Sequence, residues 1–142
     1  MQNSLQAIRN GTDGLSAHRQ HMLDRVPNVG DWGSFSLESL TTRDVAYITA
    51  KTGHEFAILR GKREDILFHG DFDHCNFSGQ LYEMLLNKKV ELYCHSHPGE
   101  EIPCPSPEDR NTLKQIGQTK SIIVSGLTGR EIEFGQDMFD DF

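Results

Sequence analysis

The chain has 142 residues, 36% hydrophobic and 25% charged, the composition of one globular domain with room for a core. A formal charge of −7 argues against a nucleic-acid phosphate partner and against an anionic membrane surface, both of which call for a basic face. No apolar run approaches the ~18 residues of a membrane span. Three cysteines (Cys75, Cys94, Cys104) with no CxxC pair make a disulfide framework and a four-cysteine zinc site improbable and point to a reducing compartment. The start, Met1-Gln2-Asn3-Ser4-Leu5, has no apolar signal region, so the expected location is the cytoplasm, unless the segment is delivered within a larger secreted protein.

Residues 1–35 are punctuated by Gly11, Gly14, Pro27, Gly30 and Gly33, and only 15–25 reads as a short helix. This stretch is expected to be an arm packing on the domain, anchored by Trp32 and Phe35. The domain proper is expected over 36–136, with 137–142 as an acidic, solvated tail. Within 37–52 the second half reads as a helix, with Thr42 as cap, Asp44 in the first turn and Gly53 past the end; Val45, Ile48 and Thr49 share a face. Residues 55–60 and 65–69 read as a hairpin around 61–64. Ser78 to Lys89 reads as an amphipathic helix with Leu81, Met84 and Leu85 as its stripe, and Val90 to His95 as a strand. Ser106-Pro107-Glu108-Asp109 is a strong helix start: a serine cap, a proline at the first helical position, then acids in the first turn. That helix is expected to run to about Thr119, followed by a last hairpin of 121–125 and 131–134. The resulting fold class is α/β in the α+β sense, one mixed and mostly antiparallel sheet flanked by helices.

The most informative segment is His95-Ser96-His97-Pro98, followed by Ser106 and Asp109. Two histidines two residues apart on a strand project from one face. An acid twelve positions after the second, just inside a helix start, completes a set of three N and O donors, the pattern of a catalytic zinc rather than a structural one. Asp109 also has a plain role, because an acid near a helix N-terminus is favourable by ~0.3–1 kcal/mol with no metal at all. Capping likewise accounts for Ser106 by itself. Helical phase should point one of Glu108 and Asp109 at the strand and the other at solvent. Hydrolysis at such a centre needs a base that is not itself a ligand. Glu55 opens the apolar run Phe56-Ala57-Ile58-Leu59, an unusual place for an acid. Glu64, Glu91, Glu100 and Glu101 remain candidates on these grounds. Cys94 alternates away from the histidines and should lie behind the sheet. Cys104 reads as an ordinary loop cysteine with a less favoured role as a thiolate on the metal. His69 and His74 flank a turn; they could line the pocket or sit on the surface, and the surface is the favoured reading.

A glutamate leading a strand, then HxHP, then SxxD resembles the JAMM motif of the MPN+ (JAB-type) metalloprotease family. The resemblance implies Zn2+ held by His95, His97 and Asp109, with Glu55 as general base and Ser106 as oxyanion donor. It also implies an MPN/JAB (cytidine-deaminase-like) fold and hydrolysis of a peptide or isopeptide bond in a substrate with an extended tail, such as a ubiquitin-like protein or a toxin precursor. Three segments (44–57, 95–99 and 121–125) are similar to JAMM domains of bacterial polymorphic-toxin and phage-associated proteins, a likeness over roughly 35–135. Many members have ten residues between the second histidine and the aspartate; here there are eleven, Pro98 to Glu108. The alternative is a non-catalytic MPN-type metal-binding or scaffold module of a larger toxin or phage protein.

Overall fold

The computed structural model describes residues 4–36 and 39–138. The elements are α1 (Ser4–Arg9), α2 (Ala17–Arg25), β1 (Trp32–Phe35), α3 (Thr42–Thr52), β2 (Phe56–Gly61), β3 (Asp65–His69), α4 (Gly79–Leu86), β4 (Val90–His97), α5 (Pro107–Ile116), β5 (Lys120–Ser125) and β6 (Glu131–Gly135). Six strands form one sheet in the order β1-β3-β2-β4-β5-β6. Only the β4–β5 pair is parallel, as a strand–helix–strand crossover through α5 requires. Among the described residues no helix is long and apolar enough to cross a membrane.

Strand alternation divides the core between the two faces of the sheet. One layer joins Phe56, Ile58, Leu67, Cys94 and Val124 to Val45 and Ile48 of α3, Met22 of α2 and Leu5 and Ile8 of α1. The other joins Ala57, Leu59, Ile66, Phe68, Leu92 and Ile123 to Leu81 and Leu85 of α4 and Leu113 and Ile116 of α5. β4 changes phase on the way. Ile58 pairs with Cys94 but Leu59 with Leu92, so Tyr93 is an extra residue opposite the β2 strand. Leu92 therefore faces α5 while Cys94 and Ser96 face α3, and the next two odd positions, His95 and His97, are turned toward α5. A strictly alternating strand would have aimed both imidazoles at α3; the bulge re-aims them.

Several sequence expectations need correction. The N-terminal stretch supplies α1 and the edge strand β1, whose Trp32 pairs with Phe68 and whose Phe35 pairs with Asp65. Of the two expected anchors Phe35 is buried, whereas Trp32 is 39% exposed on the edge strand. Thr41, not Thr42, caps α3: its hydroxyl accepts from Asp44 N–H while the Asp44 carboxylate accepts from Thr41 N–H, a reciprocal box. Helix α4 stops at Leu86 because Lys88 takes a left-handed φ of 62° and turns the chain into β4. Helix α5 stops at Ile116 because Gly117, at φ 68°, caps it. Of the expected tail, Asp137 is tied to α5 through Arg110, which donates to its carbonyl, and through Lys114 at its carboxylate. Asp140 and Asp141 lie outside the described residues.

Candidate metal centre

The C-terminal end of β4, the start of β2 and the N-terminus of α5 meet at one point. Within α5, Ser106 is the N-cap and Asp109 the third helical residue; the Ser106 hydroxyl accepts from Asp109 N–H at 3.0 Å, and the Asp109 carboxylate accepts from Ser106 N–H at 2.9 Å. This box fixes the Asp109 rotamer and aims its carboxylate at β4. Asp109 Oδ1 lies 3.0 Å from His95 Nε2, and Oδ2 lies 3.2 Å from His97 Nε2. Glu108 is the solvent-facing one of the two, 73% exposed in its side chain against 15% for Asp109, and it reaches His74 rather than the imidazoles of β4.

Glu55 sits immediately before β2, 6% exposed. Its N–H donates to Asp71 O and its carbonyl accepts from Gly70 N–H, so backbone bonds on both sides hold it in place. A ligand atom from each of Glu55, His95 and His97 can be chosen so that all lie within 4.8 Å of one another, so the group with metal-binding spacing holds Glu55, expected as the base, and not Asp109, the acid expected as ligand. Burial raises the Glu55 carboxyl to about 7, although the charges of His95 and His97 pull the other way. For His97, burial favours the neutral ring, but the hydrogen bond and charge of Asp109 and the charge of Glu55 outweigh it and lift the value to about 9. Asp109 is held well below the usual carboxylate range: burial opposes ionisation, and the close approach of the two imidazoles together with the hydrogen bond from Ser106 N–H overcomes it.

Both imidazoles are buried, and His95 Nδ1, His95 Nε2 and His97 Nδ1 make no hydrogen bond of acceptable alignment. The 3.0 Å approach of His95 Nε2 to Asp109 is therefore proximity without a well-directed bond. Buried unsatisfied polar atoms cost about 1–3 kcal/mol each, and His95 Nε2, the one of the three that faces Asp109, is placed to take a ligand there. The spacing suits a metal ion. Donor atoms ~2.0–2.2 Å from a tetrahedral ion stand about 3.3 Å apart; Asp109 approaches the two Nε2 atoms to 3.0 and 3.2 Å, through a different carboxylate oxygen in each case. The residues present thus fit a divalent cation of the kind that takes imidazole and carboxylate donors.

Beside the centre lies a cleft of about 360 Å³, lined by Glu55, His95 and Asp109, by the α5 face Glu108, Asn111, Thr112 and Gln115, by Leu92, and by Asp73 to Phe77. The structure thus brings Glu55, His95, His97 and Asp109 together. Ser106 adjoins them as the helix cap but is not among the residues lining the cleft. Cys104 is exposed and belongs to neither residue group with metal-binding spacing. The second such group, Asp71, Asp73 and His74, is partly exposed.

The surface assignment of His69 and His74 is corrected. His69 is 4% exposed, stacks on Phe56, and bonds through Nδ1 to Val26 O and through Nε2 to His54 Nδ1, both at 2.8 Å. His74 is partly exposed but lines the cleft, where its Nε2 meets Glu108 at 2.9 Å.

Sequence reasoning missed two supports. Ser96, between the histidines, accepts from Phe56 N–H at 2.9 Å and lies 2.6 Å from Thr49 Oγ1. It ties β4 to the residue after Glu55 and to α3, and the middle letter of HxHP carries no signal of that. Gly70 is the other: a Cβ there would stand 2.3 Å from His74 O, 2.9 Å from Cys75 Sγ and 3.0 Å from Glu55 O. No protein-family model, curated protein or solved structure matches this chain.

Proposed function

We propose that this protein is a zinc-dependent metallopeptidase or isopeptidase of the JAMM type with an MPN/JAB fold. The observation that carries the reading is the convergence of two buried, incompletely bonded imidazoles and Asp109 beside a carboxyl poised near neutrality. His95 Nε2, His97 Nε2 and Asp109 would hold the ion, three protein donors that leave a position for substrate. Zinc, when bound, supplies Lewis acidity toward water and toward an amide carbonyl.

The chain's own groups do the rest. Glu55 takes a proton from the attacking water and returns it to the leaving amine. In the metal-free protein burial raises this carboxyl to about 7, so it holds a proton more readily than an ordinary carboxylate, which suits both halves of that task. Its burial keeps competing solvent away and its backbone bonds limit wandering. Asp109 stays ionised throughout and is pre-aimed by the capping box. The oxyanion role of Ser106 rests on the resemblance alone: its Oγ accepts from Asp109 N–H and keeps its own hydrogen for donation. The cleft along α5 offers Asn111, Thr112 and Gln115 to an extended segment, since amide and hydroxyl side chains match the donors and acceptors of a peptide backbone. The substrate class is accordingly an extended protein tail carrying a peptide or isopeptide bond.

The test is turnover of tail-extended ubiquitin-like fusions by zinc-loaded wild type and Glu55→Gln. The variant should keep its metal and lose hydrolysis by about 10²–10⁴-fold. Full activity in Glu55→Gln would remove the base assignment. A zinc-loaded wild type that cleaves no tail substrate would favour the non-catalytic module.

A further inference from the structure

The two imidazoles are not held alike. Each presents Nε2 toward Asp109, so in a metal-binding role each must carry its remaining proton on Nδ1. Among the described residues His95 Nδ1 has no acceptor. His97 Nδ1 has a carboxylate, Glu100 Oε2, 3.3 Å away though off the axis of an ideal bond.

Glu100 is itself fixed. Its Oε2 accepts from Cys104 N–H at 2.6 Å. Its backbone carbonyl accepts from the buried Ser125 hydroxyl, and the next carbonyl, that of Glu101, accepts from Thr128 Oγ1 at 2.6 Å. Ser125 Oγ in turn accepts from the N–H groups of Leu127 and Thr128, both at 3.0 Å. The loop after His97 is thus stitched to the β5–β6 turn, and the stitching places one carboxylate on the outer nitrogen of one histidine.

We propose that Glu100 is a positioning residue: it holds the His97 ring with the proton on Nδ1, so that Nε2 is the donor offered to the metal. This rests on the metal-ligand reading of His97. A carboxylate behind a ligating imidazole fixes ring orientation and tautomer and raises donor strength, and its loss typically weakens metal binding by about 10–100-fold. Glu101, next in the chain, offers a matched control, since its side chain is exposed and only its carbonyl takes part in the stitching.

The experiment measures zinc affinity by competition with a chromophoric chelator, with ¹⁵N spectra of the zinc-loaded His97 ring, for wild type, Glu100→Ala, Glu100→Gln and Glu101→Ala. Wild type is expected to bind one zinc and to show Nδ1 as the protonated nitrogen. Glu100→Ala should bind about 10–100-fold more weakly and shift the Nδ1 proton resonance of His97 upfield. Glu100→Gln, whose amide oxygen can accept the same bond, should recover most of the affinity, and Glu101→Ala should match wild type. A purely structural role for the loop would weaken binding without changing the ring proton, and that result overturns the proposal. Zinc binding by Glu100→Ala equal to wild type overturns it as well. A wild type that binds no zinc fails earlier, at the ligand reading itself, and is distinguished by that.

Discussion

Glu55 should make the metal-free protein less stable as pH rises, and removing its charge should reverse this. Its carboxyl moves from 4.5 to about 7 on folding, chiefly through burial. The folded state therefore prefers the protonated form. Stability from this group is fully present below about pH 4.5 and is lost as pH rises through 7. The shift corresponds to about 3 kcal/mol at 1.36 kcal/mol per unit. Glu55→Gln keeps the shape and removes the ionisation. In chelator-treated protein the variant should equal wild type within about 1 kcal/mol near pH 5 and exceed it by up to about 3 kcal/mol near pH 8. For a chain of this size that is a rise in Tm of about 5–10 °C. Thermal melts followed by circular dichroism at both pH values measure it. A variant no more stable than wild type at the higher pH, or a difference flat across the range, would refute the claim that burial strains this carboxylate. A gain in stability paired with lost hydrolysis is the signature of a group retained for chemistry.

Three further outcomes follow from the same geometry. Ser96→Ala should cost about 1–3 kcal/mol in urea unfolding, because it leaves the buried Phe56 N–H and Thr49 hydroxyl without their partner. Gly70→Ala should destabilise by more than about 2 kcal/mol, since the added carbon meets the His74 carbonyl at 2.3 Å; unchanged stability there would mean the turn beside Glu55 yields freely. Zinc should raise Tm more near pH 8 than near pH 6, because the ion must displace protons that His97 holds up to about 9 and that Glu55 encourages; calorimetry with and without a chelator reads the difference.

Much of the sheet was legible because its signals are local. The β2–β3 and β5–β6 hairpins show as apolar runs around short turns, and α5 announces itself with Ser106, Pro107 and two acids. What escaped was set by tertiary contact. Strand β1 carries Gly33 and no alternation, and it is a strand because β3 offers it an edge. Helix α1 is a single short amphipathic turn and a half, stabilised by burying Leu5, Ala7 and Ile8 rather than by propensity. At the site, HxH spacing marks two side chains on one face but cannot say which face. That depended on the extra residue Tyr93 in β4, which has no signature of its own. His69 illustrates the reverse error: a polar residue next to a Gly-Asp turn reads as exposed, yet the Val26 carbonyl and His54 supply the partners that let it be buried. The sequence left open which of Glu108 and Asp109 faces β4, and the approach of Asp109 to both rings depends on how α5 packs against that strand.

The central claim is that His95, His97 and Asp109 form one site for a divalent ion, and elemental analysis of protein freed of loosely bound metal tests it most directly. Wild type should retain one zinc per chain after gel filtration, and Asp109→Ala, with its helix cap weakened but its histidines intact, should retain far less. Wild type without stoichiometric metal, or an Asp109→Ala protein that holds zinc as firmly as wild type, would contradict it.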